Sequence, residues 1–329
     1  MRFLGDTGVR VSALAFGTMP FGADADEAAS AALFGRAREA GINLFDCADV
    51  YARGRSEEIL GRLAAPERDD LILTSKAYFP TGEDPNARGA SRRHLLRAVE
   101  RSLSRLGTDR IDVYFVHRFD DATPLEDTLR ALEDLVRQGK VVYLGASNFA
   151  AWQVAKALGI SARSGWSGFR VLQPMYNLVK RQAEVEILPL AASERLGVTP
   201  YNPLGGGLLG GKYGVGPDPE SGRLIDNPMY ATRYAGEGVR GVAERFVAFA
   251  RGRGFDPAAL AIAWVASHPA VTAPILGART LPQLESCLGA TAIPMTPELR
   301  EEISALSPAP PPATDRNEES SPFRYGGNR

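Results

Sequence analysis

The sequence predicts an α/β protein, a (β/α)8 TIM barrel with an N-terminal β-hairpin and long loops over one end. Three observations predict it. Short β-branched or apolar runs alternate with amphipathic helical stretches, and strict alternation implies a parallel sheet joined by right-handed crossovers. The strand-helix unit occurs eight times, which favours a closed barrel over an open sheet. The 329 residues fit one such barrel without a second domain.

The opening Arg2–Arg10 reads as a hairpin outside the barrel count, with Asp6, Thr7 and Gly8 as turn material. Val11–Gly17 reads as the first strand. The helix Asp26–Gly41 closes on glycine, the residue that accepts the left-handed conformation past a helix end. The second strand is Asn43–Ala48, followed by a helix around Ser56–Leu63. There Ser56 ahead of Glu57 and Glu58 suits a helix N-terminus and its dipole. The third strand, Asp70–Lys76, leads to the helix Ser91–Gly107, and the fourth, Asp112–His117, to Pro124–Lys140. The fifth, Val141–Asn148, precedes Phe149–Ile160, and the sixth, Arg170–Pro174, precedes Glu184–Gly197. The seventh, Val198–Pro203, is followed by a long segment and two helices. The eighth is Ala273–Ala278, and the last helix is Leu281–Leu288.

Between Gly205 and Gly238 the chain is glycine-rich and aperiodic, which in a compact domain marks a lid or binding loop. After Ser307 it turns proline-rich and polar. The reading is therefore one barrel domain over 1–307 and a flexible tail over 308–329. The net charge of -1 advertises no nucleic-acid or membrane partner. No apolar run approaches the roughly 18 residues of a transmembrane helix. The N-terminus lacks the pattern of a secretion signal. Cys47 and Cys287 form no disulfide framework, and three histidines without ligand spacing give no metal site. A cytoplasmic protein is expected, and a homo-oligomer is allowed.

Chemistry in such a barrel sits at the C-terminal strand ends. Those ends carry Asp46, Lys76, His117, Ser147 with Asn148, Gln173, Tyr201, and Gly277-Ala278-Arg279. Each alone has a bland explanation as a cap or a solvated charge; together they point to a site. Tyr51 follows the second strand. The set suits proton transfer to oxygen, with Lys76 expected to lower the Tyr51 pKa, Asp46 to balance Lys76, and His117 to hydrogen-bond a carbonyl.

The strings NLFDCADVY, LILTSK, IDVYFVH, YLGASN, VLQPMYN and PILGART, with the opening GDTGVRVSALAFGTMPFG, resemble the successive signatures of the aldo-keto reductase superfamily. The likeness runs from Arg2 to Leu288. It is greatest to the branch holding bacterial general reductases and potassium-channel β subunits. The resemblance implies that Asp46, Tyr51, Lys76 and His117 form the catalytic tetrad. It implies NADPH in the barrel mouth, NADP being favoured over NAD because a guanidinium at Arg279 suits a 2′-phosphate. Ser147, Asn148 and Gln173 match residues that hold the nicotinamide carboxamide, and Tyr201 the ring that stacks on it. Gly17, Thr18 and Met19 belong to the same cofactor set. Asn202, Pro203, Leu204, Gly205 and Lys212 match the loop over the pyrophosphate, joined by Arg223. Gly277, Ala278, Arg279 and Gln283 match the adenosine end. Substrate contacts fall to Phe21, Tyr78, Phe79 and Arg118 beside Tyr51 and His117, with Met19 near them. Where relatives often carry Thr and Gly, this chain has Cys47 and Ala52, a change expected to touch only packing. Cys287 and Ser286 replace an Asn and an acidic or amide residue near the adenine.

The expected reaction is reduction of an aldehyde or ketone, with hydride from the nicotinamide and the proton from Tyr51. The rival readings are a cofactor-bound regulatory or redox-sensing subunit and a lyase using Lys76 as a Schiff base. Gly205–Gly210 fits G-x-G-x-x-G, and Gly206–Lys212 fits G-x-x-x-x-G-K, but neither has the strand-and-helix context of a nucleotide loop. His94 reads as a solvated helix residue, His268 as a structural one, and Trp152 and Trp264 as packing groups.

Overall fold

The computed structural model describes residues 1–213 and 220–314. Strands β1 (Arg2–Phe3) and β2 (Arg10–Val11) pair antiparallel as the expected hairpin. The parallel strands are β3 (Ala15–Gly17), β4 (Leu44–Asp46), β5 (Ile72–Ala77) and β6 (Ile111–Val116), then β7 (Val141–Ser147), β8 (Phe169–Gln173), β9 (Gly197–Val198) and β10 (Ile275–Leu276). Their order is β10-β3-β4-β5-β6-β7-β8-β9. The sheet closes on itself where Thr272 N donates to Val198 O at 2.8 Å and Ile275 N to Pro200 O at 2.9 Å. The fold is a (β/α)8 barrel.

The helices form where the apolar spacing and caps place them. Helix α1 (Glu27–Glu39) starts at Asp26, whose side chain accepts from Ala29 N, and is followed by Gly41 at φ +80°. Next come α2 (Arg55–Ala64) and α3 (Arg92–Leu106), the latter between a Ser91 cap and Gly107 at φ +62°. Then come α4 (Leu125–Arg137), α5 (Ala151–Ser164) and α6 (Ile187–Ser193). Their buried faces and the outer faces of the strands make the main core, with Trp264 and Tyr176 fully buried in it. A smaller core fills the barrel, where Leu44, Val113, Phe115, Val171 and Ile275 meet Leu4 and Val11 of the hairpin. The hairpin thus plugs the end away from the predicted chemistry. Gly145 makes room for the Phe115 ring, which a Cβ there would meet at 2.4 Å.

The glycine-rich segment begins with a 3-10 turn at Gly205–Gly210 and opens no α-helix there. It continues, with 214–219 outside the described residues, into short helices α7 (Arg223–Asp226) and α8 (Pro228–Arg233). Helices α9 (Val239–Gly252), α10 (Pro257–Ala266) and α11 (Leu281–Leu288) complete the ring. Most of the tail, from 315 onward, lies outside the described residues. Among the described residues no helix is long and apolar enough to cross a membrane.

Four expectations are corrected. Val11 belongs to the hairpin, because Ser12 turns the chain by bonding Leu14 O and Asn43, so the barrel strand begins at Ala15. Ser56 does not cap α2: Gly54 does, and Ser56 is buried, donating to Thr18 O at 2.7 Å. His94 is buried rather than solvated, because its side of α3 faces β5 and the loop after it. A helix past the last expected one, α12 (Pro297–Ser304), is capped by Thr296 and packs Ile303 into the core. Trp152 packs at the surface against Phe119, with ring centroids 6.0 Å apart.

Candidate active site

The C-terminal strand ends open into a cleft of about 930 Å3. At its floor Asp46, ending β4, and Lys76, on β5, form an ion pair of 2.6 Å with Lys76 fully buried. The ammonium has three N–H groups. One goes to Asp46 Oδ2, one to Cys47 O at 2.7 Å, and the third points to Tyr51 Oη at 3.5 Å. Asp46 Oδ1 accepts from Thr74 Oγ1 at 2.6 Å and Gln173 Nε2 at 2.8 Å. A buried ion pair whose carboxylate accepts two further hydrogen bonds keeps its geometry.

Tyr51 is carried by a strained turn. Ala52 and Arg53 have φ of +47° and +56°, conformations costly for side-chain-bearing residues. Its neighbour His117 directly follows β6, edge-on to the Tyr51 ring at 6.1 Å and to Phe79 at 4.9 Å. Burial, then the Lys76 charge, pushes the His117 pKa well below its usual value, so the imidazole is neutral. The Tyr51 pKa stands well above 10, opposite in direction to the expectation from sequence. Burial dominates, the Asp46 carboxylate adds to it, and Lys76 is shared among three acceptors. The phenol is therefore a protonated donor.

Asn148, at φ +56°, donates to His117 O at 2.9 Å and Ser147 Oγ at 3.1 Å, and accepts from Tyr201 Oη at 2.7 Å. Ser147 donates to Gln173 O at 2.9 Å. Gln173 points its amide nitrogen at Asp46, leaving its oxygen as the acceptor it offers the cleft. Met19, Gly17, Asn202, Pro203, Leu204, Lys212, Arg223, Gly277, Arg279 and Gln283 line the same cleft. Buried Asn202 Nδ2 has no partner among the described residues. Lys212 and Arg223 lie without acidic partners there, while Arg279 pairs with Asp24 at 3.3 Å and its N–H is capped by Gln283.

Some expected residues do not reach the cleft. Phe21 is fully buried against Phe16 at 5.7 Å, because the chain after β3 turns back into the core. Thr18 is buried and ties β3 to β4 through Asp46 O. Tyr78 packs edge-on to Phe79 outside it. Ala278 and Gly205 are buried behind the wall, where Gly206, Gly207 and Gly210 take the lining positions. Sequence reasoning missed Val50, Tyr213, Met229, Tyr230 and Arg233, all of which line the cleft. The last three lie on α8, in a stretch whose only signal was an Arg and Tyr content unusual for a loop. Ser286 is turned to Asp256 at 2.9 Å, and Cys287 is buried at the cleft wall.

Comparisons with known proteins agree with the geometry. The aldo/keto reductase family model matches residues 13–308. The chain is 37% identical over 323 residues to "Uncharacterized oxidoreductase YrpG" of Bacillus subtilis (strain 168), covering 94% of this chain and 96% of the relative. It is 37% identical to "Probable voltage-gated potassium channel subunit beta" of Oryza sativa subsp. japonica, over 95% and 98% of the two chains. To "Versiconal hemiacetal acetate reductase" of Aspergillus parasiticus it is 32% identical, over 90% and 93%. With an eight-stranded barrel, a buried Asp–Lys pair under a tyrosine at its mouth, and a family match across nearly the whole length, this chain belongs to the aldo/keto reductase family of oxidoreductases.

Proposed function

We propose that the protein is an NADPH-dependent reductase of an aldehyde or ketone, with Asp46, Tyr51, Lys76 and His117 as its catalytic residues. The observation that carries this reading is the Asp46–Lys76–Tyr51 chain of contacts at the cleft floor, beside a neutral imidazole. The cleft suits a dinucleotide phosphate. Lys212 and Arg223, without acidic partners among the described residues, offer charge for a diphosphate, Arg279 for a 2′-phosphate, and the Gln173 oxygen and the Tyr201 ring suit a carboxamide-bearing ring. Bound nicotinamide supplies the hydride.

The chain's own residues do the rest. His117, neutral, donates a hydrogen bond that orients the carbonyl and polarises it. Tyr51 Oη gives its proton to the carbonyl oxygen as the alcohol forms. The phenolate left behind faces the Lys76 ammonium, whose charge stabilises it. Asp46 balances the charge of Lys76 and aims its ammonium. Phe79, Val50 and Tyr230 narrow the mouth and exclude water. The buried, fully bonded Lys76 argues against a Schiff-base lyase, since its amine has no open path to a carbonyl.

Tyr51→Phe is expected to abolish turnover while leaving the Kd for NADPH within about twofold, because the lost hydroxyl serves the reacting oxygen and Lys76 rather than the cofactor. Steady-state NADPH oxidation with a panel of carbonyls, and a fluorescence titration, check it; wild-type turnover by the variant refutes the assignment. The likeness to channel β subunits favours a second reading, a cofactor-bound subunit of low turnover. Tight NADPH binding with negligible oxidation across the panel would select it.

A further inference from the structure

The cleft is electrostatically one-sided. Among the described residues, five cations line it, Arg118, Lys212, Arg223, Arg233 and Arg279, against one carboxylate, Asp46, which Lys76 already neutralises. Three of the five belong to the cofactor set proposed above. Arg118 and Arg233 remain, and neither has an acidic partner among the described residues.

These two sit at the reacting end. Arg118 directly follows His117. Arg233, half-buried on α8, places its guanidinium over the Tyr230 ring at 4.8 Å and the Tyr201 ring at 5.9 Å. Tyr201 bonds Asn148, and Asn148 bonds the carbonyl of His117. Arg233 thus reaches His117 through Tyr201 and Asn148, from the part of the cleft wall that α8 supplies, and shares the Tyr230 ring with Arg223 at 5.1 Å. Cation–π contact with two tyrosines holds a guanidinium in place without satisfying its N–H donors. Among the described residues, the one hydrogen bond of this head group goes to Met229 Sδ at 3.8 Å, a weak acceptor. A planar fork with free donors beside a carbonyl site is built to grip a carboxylate bidentately.

We propose that the preferred substrate carries an acidic group, a carboxylate, on the aldehyde or ketone, held by Arg233 with Arg118, beside His117, adding charge. The proposal rests on the reductase reading. It makes Arg233 a specificity-determining residue.

The test compares 4-carboxybenzaldehyde with 4-carbamoylbenzaldehyde, similar in shape but neutral, using the full-length protein and saturating NADPH. The wild type is expected to favour the carboxylate by about tenfold or more in kcat/KM, chiefly through KM. The preference should shrink as salt is raised. In Arg233→Gln the two values should converge because that of the carboxylate falls, and Arg233→Lys should restore part of the gap. The NADPH Kd, measured in parallel, should stay the same. Equal kcat/KM in the wild type overturns the proposal, as does a preference that survives Arg233→Gln combined with Arg118→Gln. A weaker NADPH Kd with both aldehydes slowed alike assigns Arg233 to the cofactor and also overturns it. If the wild type binds NADPH and reduces neither aldehyde nor any other carbonyl, the underlying reductase reading fails instead.

Discussion

Asp49 lies three residues past Asp46 yet meets the opposite environment. Asp46 has a donor for every lone pair it needs, whereas neither carboxylate oxygen of Asp49 has a partner among the described residues. Burial, then the negative charge of Glu57, pushes the Asp49 pKa to about 8, with Arg105 pulling back. The native state then holds a proton that the unfolded chain releases above its ordinary value of 3.8. Stability from this group is complete below pH 4 and is lost as pH rises toward 8. Asp49→Asn keeps the neutral shape without the titration. Its stability advantage over wild type should grow by up to about 1.4 kcal/mol per pH unit across that window. Urea unfolding at pH 5 and pH 8 checks this, and an advantage equal at both excludes it. Ala52 is the second residue whose importance emerges only in place. Set beside relatives, it looked like a packing change; at φ +47° it stores backbone strain. Ala52→Gly should stabilise by up to about 1 kcal/mol, the left-handed cost being partly offset by the freer unfolded chain. A lower melting temperature for that variant would contradict the strain.

At the scale of elements, α2 and α3 meet more closely than their sequences suggest. A Cβ on Gly61 would lie 2.3 Å from Leu106 O, which is backbone and cannot swing aside. Gly61→Ala should cost about 1–3 kcal/mol despite the better helix propensity of alanine. Chemical denaturation would read the loss directly, and a gain would show that the two helices can separate freely. Behind this contact Glu57, fully buried, accepts from Ser75 and pairs with Arg105 at 2.6 Å. Glu57 lies in the first turn of α2, as the dipole reading has it, and is also an internal bridge between α2, α3 and β5. The long capped helices were legible because Asp26, Ser91, Gly41 and Gly107 mark their ends by local chemistry. The short helices α7 and α8 were not, because a four- or six-residue helix has no periodicity to read and is fixed by what it packs on.

For the whole molecule, a ligand that binds only the folded barrel must stabilise it. NADPH at a hundred times its Kd should add about 2.7 kcal/mol and raise the melting temperature by about 5 °C. At equal concentration NADH should give a smaller rise, since Arg279 would lose its phosphate partner. Identical shifts in a thermal melt would argue against selection for the 2′-phosphate. The sequence alone determined the barrel, its hairpin, and the identity of the strand-end residues. Alternation of strand and helix, and punctuation by glycine and capping side chains, are local properties that one-dimensional reading captures. It also placed most of the cleft wall, because strand ends converge in any barrel of this kind. Only the tertiary structure decided how the residues act on one another. It showed that three acceptors share Lys76, so burial governs the Tyr51 proton, and that Phe21 and Thr18 serve the core. It also brought Arg233, far along the chain, over the Tyr201 ring in the same cleft as Tyr51. Electrostatics and side-chain direction depend on distance and burial, which exist only once the chain has closed.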